Sequence, residues 1–408
     1  MRRERYLLRM VRERARGTAL STTEVLTTAR AAERLGVKPQ TLYAYASRGW
    51  LTRVPPGRGR ASGYLRADVE RLKARSDARA GHAAVAAGAL QWGEPVLDTS
   101  VSSIGPEGPA YRGRSAVDLA LSGVTFERVA ELLWTGALPP SGLAWAPAAR
   151  PSHASPAPRA TPLARRILIV AALAAGPADR TLRARPLIAR IAAPDGRAPA
   201  PIALSLLATL GAARRGTEVA AAIDRALVLL ADHELNASTF AARVAASAGA
   251  GLCSSVLAAL ATVSGARHGG VCDRVEAFFR EVGAPARARR IVSGHAGRGD
   301  VVPGFGHPLY PDGDPRAAPL LDAAQSIAPR DETRAAGAIV RAVEDTLGLR
   351  PTVDFALVAL MRAIGARTGS AAALFAVGRC AGWVAHIEEQ RAAGYLLRPR
   401  ARYSASVG

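Results

Sequence analysis

Apolar residues recur at helical spacing along most of the chain. Phe126, Val129, Ala130 and Leu133 share one face of a 3.6-residue repeat, with Thr125 before them as a cap and Gly136 and Pro139 after them as stops. Ala31, Ala32 and Leu35 repeat the pattern, with Thr28 as the expected cap and Gly36 as the break. Pro39 then suits a first helical turn, Gln40 to Ser47 continue as a second helix, and Gly49 ends it. Further on, Phe355 to Met361 read F-A-L-V-A-L-M, and Gly348 before Pro351 marks another stop. The longest uncharged run, Val244 to Ala266, is mostly Ala, Gly and Ser. It is long enough for a membrane span but too weakly apolar, so it predicts a buried helix pair broken near Gly249 to Gly251. Pro95 to Gly113 instead alternates around G-P-E-G and predicts a small β-hairpin. The fold class expected is mostly α.

The chain has 408 residues, which suggests two or three domains. With 49% hydrophobic and 21% charged residues it can build a sizeable core, which excludes a disordered class. Three cysteines, Cys253, Cys272 and Cys380, have no metal-binding spacing and predict reduced thiols in a cytoplasm. Arg9, Arg12, Glu13 and Arg14 interrupt any apolar stretch near the start, which argues against a signal peptide; no membrane partner is expected.

Charge is unevenly spread. The formal net charge is +21, and residues 1–80 hold 19 basic against 7 acidic residues, so they carry +12 while the remaining 328 carry +9. A concentrated basic segment suggests a nucleic-acid surface, although a solvated arginine face would look the same. The pattern divides the chain into a basic tail (1–22), a compact helical unit (23–75), an Ala/Gly-rich linker (76–90) and a long helical body (91–408) interrupted by a Pro/Ala/Ser-rich loop at Ala146 to Pro162. Two short helices joined by a tight glycine turn form a helix-turn-helix. The text T-T-A-R-A-A-E-R-L-G-V-K-P-Q-T-L-Y-A-Y-A-S-R-G-W-L resembles the winged helix-turn-helix of the MerR and excisionase families. That resemblance implies that Gln40, Thr41, Tyr43 and Arg48 face a major groove, with Arg58 and Arg60 on a wing near phosphates. Such units also serve as plain protein-contact modules.

Chemistry concentrates in the second half. A-R-H-G-G, V-P-G-F-G-H-P-L-Y and T-V-D-F place His268, His307 and Asp354 in order along the chain. Glycines beside each histidine let backbone approach a ligand closely. Two imidazoles and a carboxylate are what carbon–carbon condensation at a carbonyl needs: the carboxylate takes a proton from a weakly acidic methyl, and the imidazoles handle charge on two carbonyl oxygens. Asp354 opens an apolar helix and could equally be an N-cap; a catalytic base needs a desolvated setting. D-H-E-L-N-A-S-T-F adds His233, followed by Asn236 and Ser238, which could orient other imidazoles. Arg316 in D-G-D-P-R-A, Arg379 in G-R-C-A-G-W and Arg398 in L-R-P-R could bind carboxylates as bidentate forks.

In order and in neighbours these motifs, with Y-R-G at Tyr111 to Gly113 and the terminal R-P-R-A-R-Y, resemble the citrate synthase family from about Leu90 onward. The resemblance implies a helical homodimer whose large and small domains close over acetyl-CoA, or another acyl-CoA, and oxaloacetate, with no metal or redox cofactor. It assigns Asp354 as base, His268 to the enolate oxygen and His307 to the ketone. It gives oxaloacetate binding to His233, Arg316 and Arg379, joined by Arg398 of the other subunit, and the adenine of CoA to Val302, Pro303, Gly304 and Phe305. The chain departs from the family where H-G-G continues as Val271-Cys272 instead of Ala-Asn, and where Pro308 replaces Arg after the second histidine. Three readings follow: a citrate-forming condensing enzyme, a 2-methylcitrate-forming one, and a transcriptional regulator using this body as a metabolite sensor.

Overall fold

The computed structural model describes residues 25–47, 50–54, 63–79, 97–145, 160–194, 201–328 and 330–399. The expected tail 1–22, the wing residues Arg58 and Arg60, Arg48, and most of the loop at 146–162 lie outside the described residues. The chain forms two compact units, 1–98 and 99–408.

In the first unit, β1 (Val25–Thr27) leads into α1 (Thr28–Leu35), then α2 (Pro39–Ser47), β2 (Arg53–Val54), β3 (Gly63–Leu65) and α3 (Arg66–Arg79). The strands pair antiparallel in the order β1-β3-β2. The α1 cap is Thr27, whose hydroxyl accepts from the Arg30 N–H, one residue before the expected Thr28. Gly36 ends α1 in the left-handed region at φ 65°, where a Cβ would be strained. Ala31, Ala32, Leu35, Leu42, Leu51, Tyr64 and Val69 form this unit's own core. Leu42 points inward, while Gln40 and Tyr43 on the same helix are exposed. α3 runs to Arg79, four residues into the stretch read as linker.

The second unit opens with the expected hairpin: β4 (Ser102–Gly105) pairs with β5 (Gly108–Tyr111), and β6 (Arg114–Ser115) adds to β5. Arg112 and Gly113 both have positive φ, 48° and 81°, which closes the tight second turn. Helices then dominate, in the order α4 (Ala116–Leu121), α5 (Phe126–Thr135), α6 (Pro162–Ala174), α7 (Ala178–Thr181), α8 (Ala184–Ala192), α9 (Ile202–Thr209) and α10 (Thr217–Leu230). They continue as α11 (Ala237–Ser247), α12 (Leu252–Val263), α13 (Val271–Val282), α14 (Ala288–Arg298), α15 (Ala317–Ile327), α16 (Arg330–Leu347), α17 (Val353–Ala363) and α18 (Ser370–Ala393). The uncharged run covers the last turn of α11, a break at Gly249 (φ 83°) and all of α12; the expected helix pair is present, but its first helix begins at Ala237, before the run.

α18 is the axis of this unit. It is long and apolar enough to cross a membrane, yet its apolar stretch is wholly buried. It packs against α5, α6, α8, α10, α11 and α12. Each fully buried large apolar side chain, Trp383 among them, contributes on the order of 1.5–3 kcal/mol relative to exposure. Gly378 and Gly382 face the end of α10. A Cβ on Gly378 would stand 2.8 Å from Leu230 Cβ, and one on Gly382 would collide with Asp232. This close approach lets the Gly382 N–H donate to Ala231 O (2.8 Å). It brings the chain after α10, with His233, beside Arg379.

Candidate active site

The turn from Ala231 to Asn236 is pinned from several sides. Asp232 is fully buried, and its Oδ2 accepts from the Ser102 hydroxyl, from His386 Nε2 (3.2 Å) and from the Glu234 N–H (3.1 Å). Burial opposes ionisation of Asp232, but His386, Arg379 and the Ser102 hydroxyl together hold its pKa below the usual carboxylate value. Arg243 donates to His386 Nδ1 (3.1 Å), so the neutral ring's proton lies on Nε2, toward Asp232. Tyr111 donates to Val228 O (2.9 Å) and accepts from the Asp232 N–H (3.3 Å). Glu234 sits at φ +54°, a strained conformation held by these contacts. The result is a fixed outlet for His233, whose Nε2 meets the Tyr310 hydroxyl at 2.9 Å.

Asn236 caps α11, accepting from the Ser238 and Thr239 N–H groups (both 3.1 Å). The Ser238 hydroxyl bridges Asn236 Oδ1 (2.7 Å) and His268 Nε2 (2.8 Å), and accepts from Trp383 Nε1 (3.2 Å). The expected orienting role of Asn236 and Ser238 is therefore visible. Burial, aided by the Arg379 charge, lowers the His268 pKa to about 4, so this imidazole is neutral near pH 7.

The V-P-G-F-G-H loop is stitched to the start of α17. The Thr352 N–H donates to Gly304 O (2.8 Å), and the Gly306 N–H donates to Arg350 O (2.9 Å). Gly304 is at φ 84°, and a Cβ there would stand 2.8 Å from Val275 and 3.0 Å from Phe355. Phe305 turns into the core, its ring 4.7 Å from that of Phe355, and Val302 is buried too. Gly306 is exposed and Pro303 partly so, which leaves backbone rather than the Phe305 ring as the accessible part of the expected CoA contact. His307 Nδ1 accepts from the Leu309 N–H (3.2 Å), which puts the neutral ring's proton on Nε2. Its ring centre lies 5.8 Å from His233 and 5.0 Å from Tyr310. Burial and the Arg316 charge lower the pKa values of His233 and His307, so the site carries three neutral imidazoles.

Arg316 and Asp314 form a buried bidentate pair (2.9 and 2.8 Å), and Asp314 Oδ2 also accepts from the Val353 N–H (3.0 Å). Burial works against the Asp314 charge, but Arg316 and these donors hold its pKa low. The Nε–Nη2 edge of Arg316 is thus committed within the protein, and Nη1 is the nitrogen that could serve a ligand. Arg379 Nε donates to Leu230 O (2.8 Å), while its buried Nη1 has no partner among the described residues. A buried cationic nitrogen left unpaired is costly, and a ligand carboxylate would repay that cost.

Asp354 lies in the first turn of α17 but is not its cap; Thr352 holds that position. Burial raises the Asp354 pKa. Arg316 opposes the rise, Asp314 adds to it, and the thiol of Cys272, 3.5 Å from Oδ1, opposes it weakly. That is the desolvated setting a base needs.

Among the expected residues, His233, His268, His307, Arg316, Arg379 and Asp354 form one electrostatically connected cluster. Arg398 does not join it within one chain; it is exposed after α18, on a segment tied down by the Leu397 N–H to Ser247 Oγ. Sequence reasoning missed Tyr310, Asp314, Asp232, His386 and Trp383 as supporting residues. Tyr310, Asp314 and Asp232 stand inside the quoted motifs, so their positions were a usable signal. Among the described residues, no group of three or more His, Cys, Asp or Glu side chains is arranged to hold a metal ion.

Residues 89–400 match the model of the citrate synthase C-terminal domain family. Citrate synthase 2 of Bacillus subtilis (strain 168) is 34% identical over 208 residues, which is 50% of this chain and 56% of that protein. A 2-methylcitrate synthase of Mycobacterium tuberculosis (strain H37Rv) is 33% identical over 191 residues, 46% of this chain and 49% of that protein. The chain thus spans about half the length of the curated relatives it matches. Among solved structures, the citrate synthase of Thermoplasma acidophilum in a ternary complex with carboxymethyl coenzyme A and oxaloacetate superimposes with a TM-score of 0.67 at 26% identity, covering 77% of this chain and 95% of that one. With the matched region spanning both histidine loops, Asp354, Arg316 and Arg379, the chain belongs to the citrate synthase family.

Proposed function

We propose that residues 99–408 catalyse condensation of an acyl-CoA with oxaloacetate, followed by thioester hydrolysis, giving citrate or 2-methylcitrate and free CoA. The observation that carries this reading is the buried cluster of three neutral imidazoles, one raised carboxyl and an unfilled Arg379 nitrogen. Asp354 removes a proton from the acyl carbon next to the thioester. His268 stabilises the enolate oxygen, its ring held at Nε2 by the Ser238 hydroxyl (2.8 Å). The new carbanion attacks the ketone carbon, and His307 Nε2–H donates to the ketone oxygen. Arg379, Arg316 and His233 hold the oxaloacetate carboxylates, with Arg398 supplied by a second copy in a homodimer. Domain closure excludes water until the bond has formed. Water then cleaves the citryl thioester. Acetyl and propionyl groups differ by one methylene, worth only about 1–3 kcal/mol in a pocket, so both acyl groups belong in the test. Purified protein mixed with oxaloacetate and a panel of acyl-CoAs should release thiol. No release above an Asp354→Ala control with any of them would reject the reading.

We also infer that residues 25–79 are a winged helix-turn-helix that contacts duplex DNA through α2, where Gln40 and Tyr43 are exposed and Thr41 is partly so. Its affinity should fall steeply and log-linearly with salt. Equal, salt-insensitive binding by a variant with Gln40 and Tyr43 both replaced by Ala would count against it.

A further inference from the structure

Cys272 stands one helical turn after His268, in the first turn of α13. Its side chain is fully buried, and its S–H points at Asp354 Oδ1 at 3.5 Å. The two residues are 82 positions apart and belong to helices that pack directly on each other. The other two cysteines are spent on backbone carbonyls: Cys253 on Ala178 O (3.7 Å) and Cys380 on Ala376 O (3.1 Å). Among the described residues, Cys272 is the cysteine whose thiol donates to a carboxylate.

We propose that Cys272 is a positioning residue for the base: its S–H holds Oδ1 of Asp354 and so turns Oδ2 toward the acyl-CoA methyl. The inference rests on the condensation reading and adds a named residue to it. The chemistry suits the task. A base must be held still, yet a strong donor would stabilise its anion and make it a poor proton acceptor. A thiol is a weak donor, so it fixes one oxygen while leaving basicity nearly intact. The thiol stays protonated because burial and the facing carboxylates Asp354, Asp273 and Glu276 all disfavour a thiolate. On the other side, Asp354 faces Arg316, which favours its charge, and Asp314, which disfavours it. Within this set the Cys272 contact is the one side-chain hydrogen bond made to Asp354 among the described residues.

The test compares Cys272→Ala and Cys272→Ser with the wild type. Below its acid limb the enzyme is inactive because Asp354 is protonated. Alanine removes the donor and should move that limb upward. Serine supplies a stronger donor and should move it downward, each by about half a pH unit. The Ala variant should also lose kcat several-fold, with the KM for acyl-CoA little changed. Opposite movements of the two limbs cannot come from general damage to the fold. A readout independent of turnover is the infrared S–H stretch of Cys272, isolated by subtracting the Cys272→Ala spectrum. It should rise in frequency in Asp354→Ala, where the acceptor is gone. If the S–H band does not respond, the contact is refuted whether or not the protein turns over. If the band responds and turnover occurs but all three acid limbs coincide, the positioning role is refuted while the condensation reading stands. If no acyl-CoA is turned over, the condensation reading fails, and the positioning role of Cys272 falls with it.

Discussion

In residues 25–79, Arg34 and Glu70 form a bidentate ion pair at the surface, with side chains 56% and 39% exposed. In residues 99–399, Arg316 and Asp314 form a pair of the same kind, with exposures of 3% and 0%. The first pair costs little to make and contributes little, because water screens it. The second requires two charges to leave water, at several kcal/mol each, which folding alone does not demand; an apolar pair of similar volume would often be as stable. The same body buries Arg243, Arg379 and Asp232 as well. Buried charge at that density surrounds a raised carboxyl and a guanidinium nitrogen with no partner among the described residues, which fits the ionic ligands of the proposed reaction. The N-terminal unit keeps the Arg34–Glu70 pair at the surface and buries one carboxylate, Asp68, which accepts from the Thr52 N–H (2.8 Å).

The contrast can be broken at several points. The largest effect should come from Asp354→Asn, which keeps shape but removes the base. A loss of about 10²–10⁴-fold in kcat, with an unaltered circular dichroism spectrum, is expected. Next, Asp314→Ala strands Arg316 as a buried, unpaired cation and frees the Val353 N–H. Denaturant unfolding should register a loss of about 3–5 kcal/mol.

A third test uses a half-buried carboxyl with no ion partner among the described residues. Asp224 accepts from the Phe126 N–H at the start of α5, and burial raises its pKa to about 7. Its protonated form is favoured by folding, so the stabilising contribution is full at pH below about 4 and is lost as pH rises through about 7. Asp224→Asn keeps the acceptor without the charge. Its Tm should exceed that of the wild type at pH 8, and the gain should vanish near pH 4. The smallest effect belongs to the surface pair: Glu70→Ala should change stability by at most about 1 kcal/mol, and less still at high salt. A loss from Glu70→Ala equal to that from Asp314→Ala would erase the distinction between the units.

The sequence carried the parts of this site that are local. H-G-G, G-F-G-H and D-H-E-L-N hold their own turn glycines and caps, so His268, His307, His233, Asn236 and Ser238 could be read directly. The helix pair broken near Gly249 and the hairpin around G-P-E-G were legible for the same reason: periodicity and turn chemistry act over a few residues. The clamps were not legible. Ser102 reaches Asp232 across 130 residues, Cys272 reaches Asp354 across 82, and Val353 reaches Asp314 across 39. No repeat pattern encodes such pairings; they exist only once helices pack. The commitment of Arg316 to Asp314 is a case in point, since D-G-D-P-R-A suggested a carboxylate-binding fork without pointing to Asp314 as its partner. Thr27 rather than Thr28 as the α1 cap shows the smaller ambiguity of two adjacent candidates.

The most direct measurement is hydrogen exchange at the acyl carbon. Acetyl-CoA would be incubated with the protein in deuterated water alongside an unreactive dicarboxylate that fills the oxaloacetate site, and methyl deuteration followed by mass spectrometry. Deuterium should enter with the wild type and not with Asp354→Asn. Equal incorporation by the two proteins, above the rate without protein, would show that Asp354 is not the base and would contradict the role assigned to this cluster.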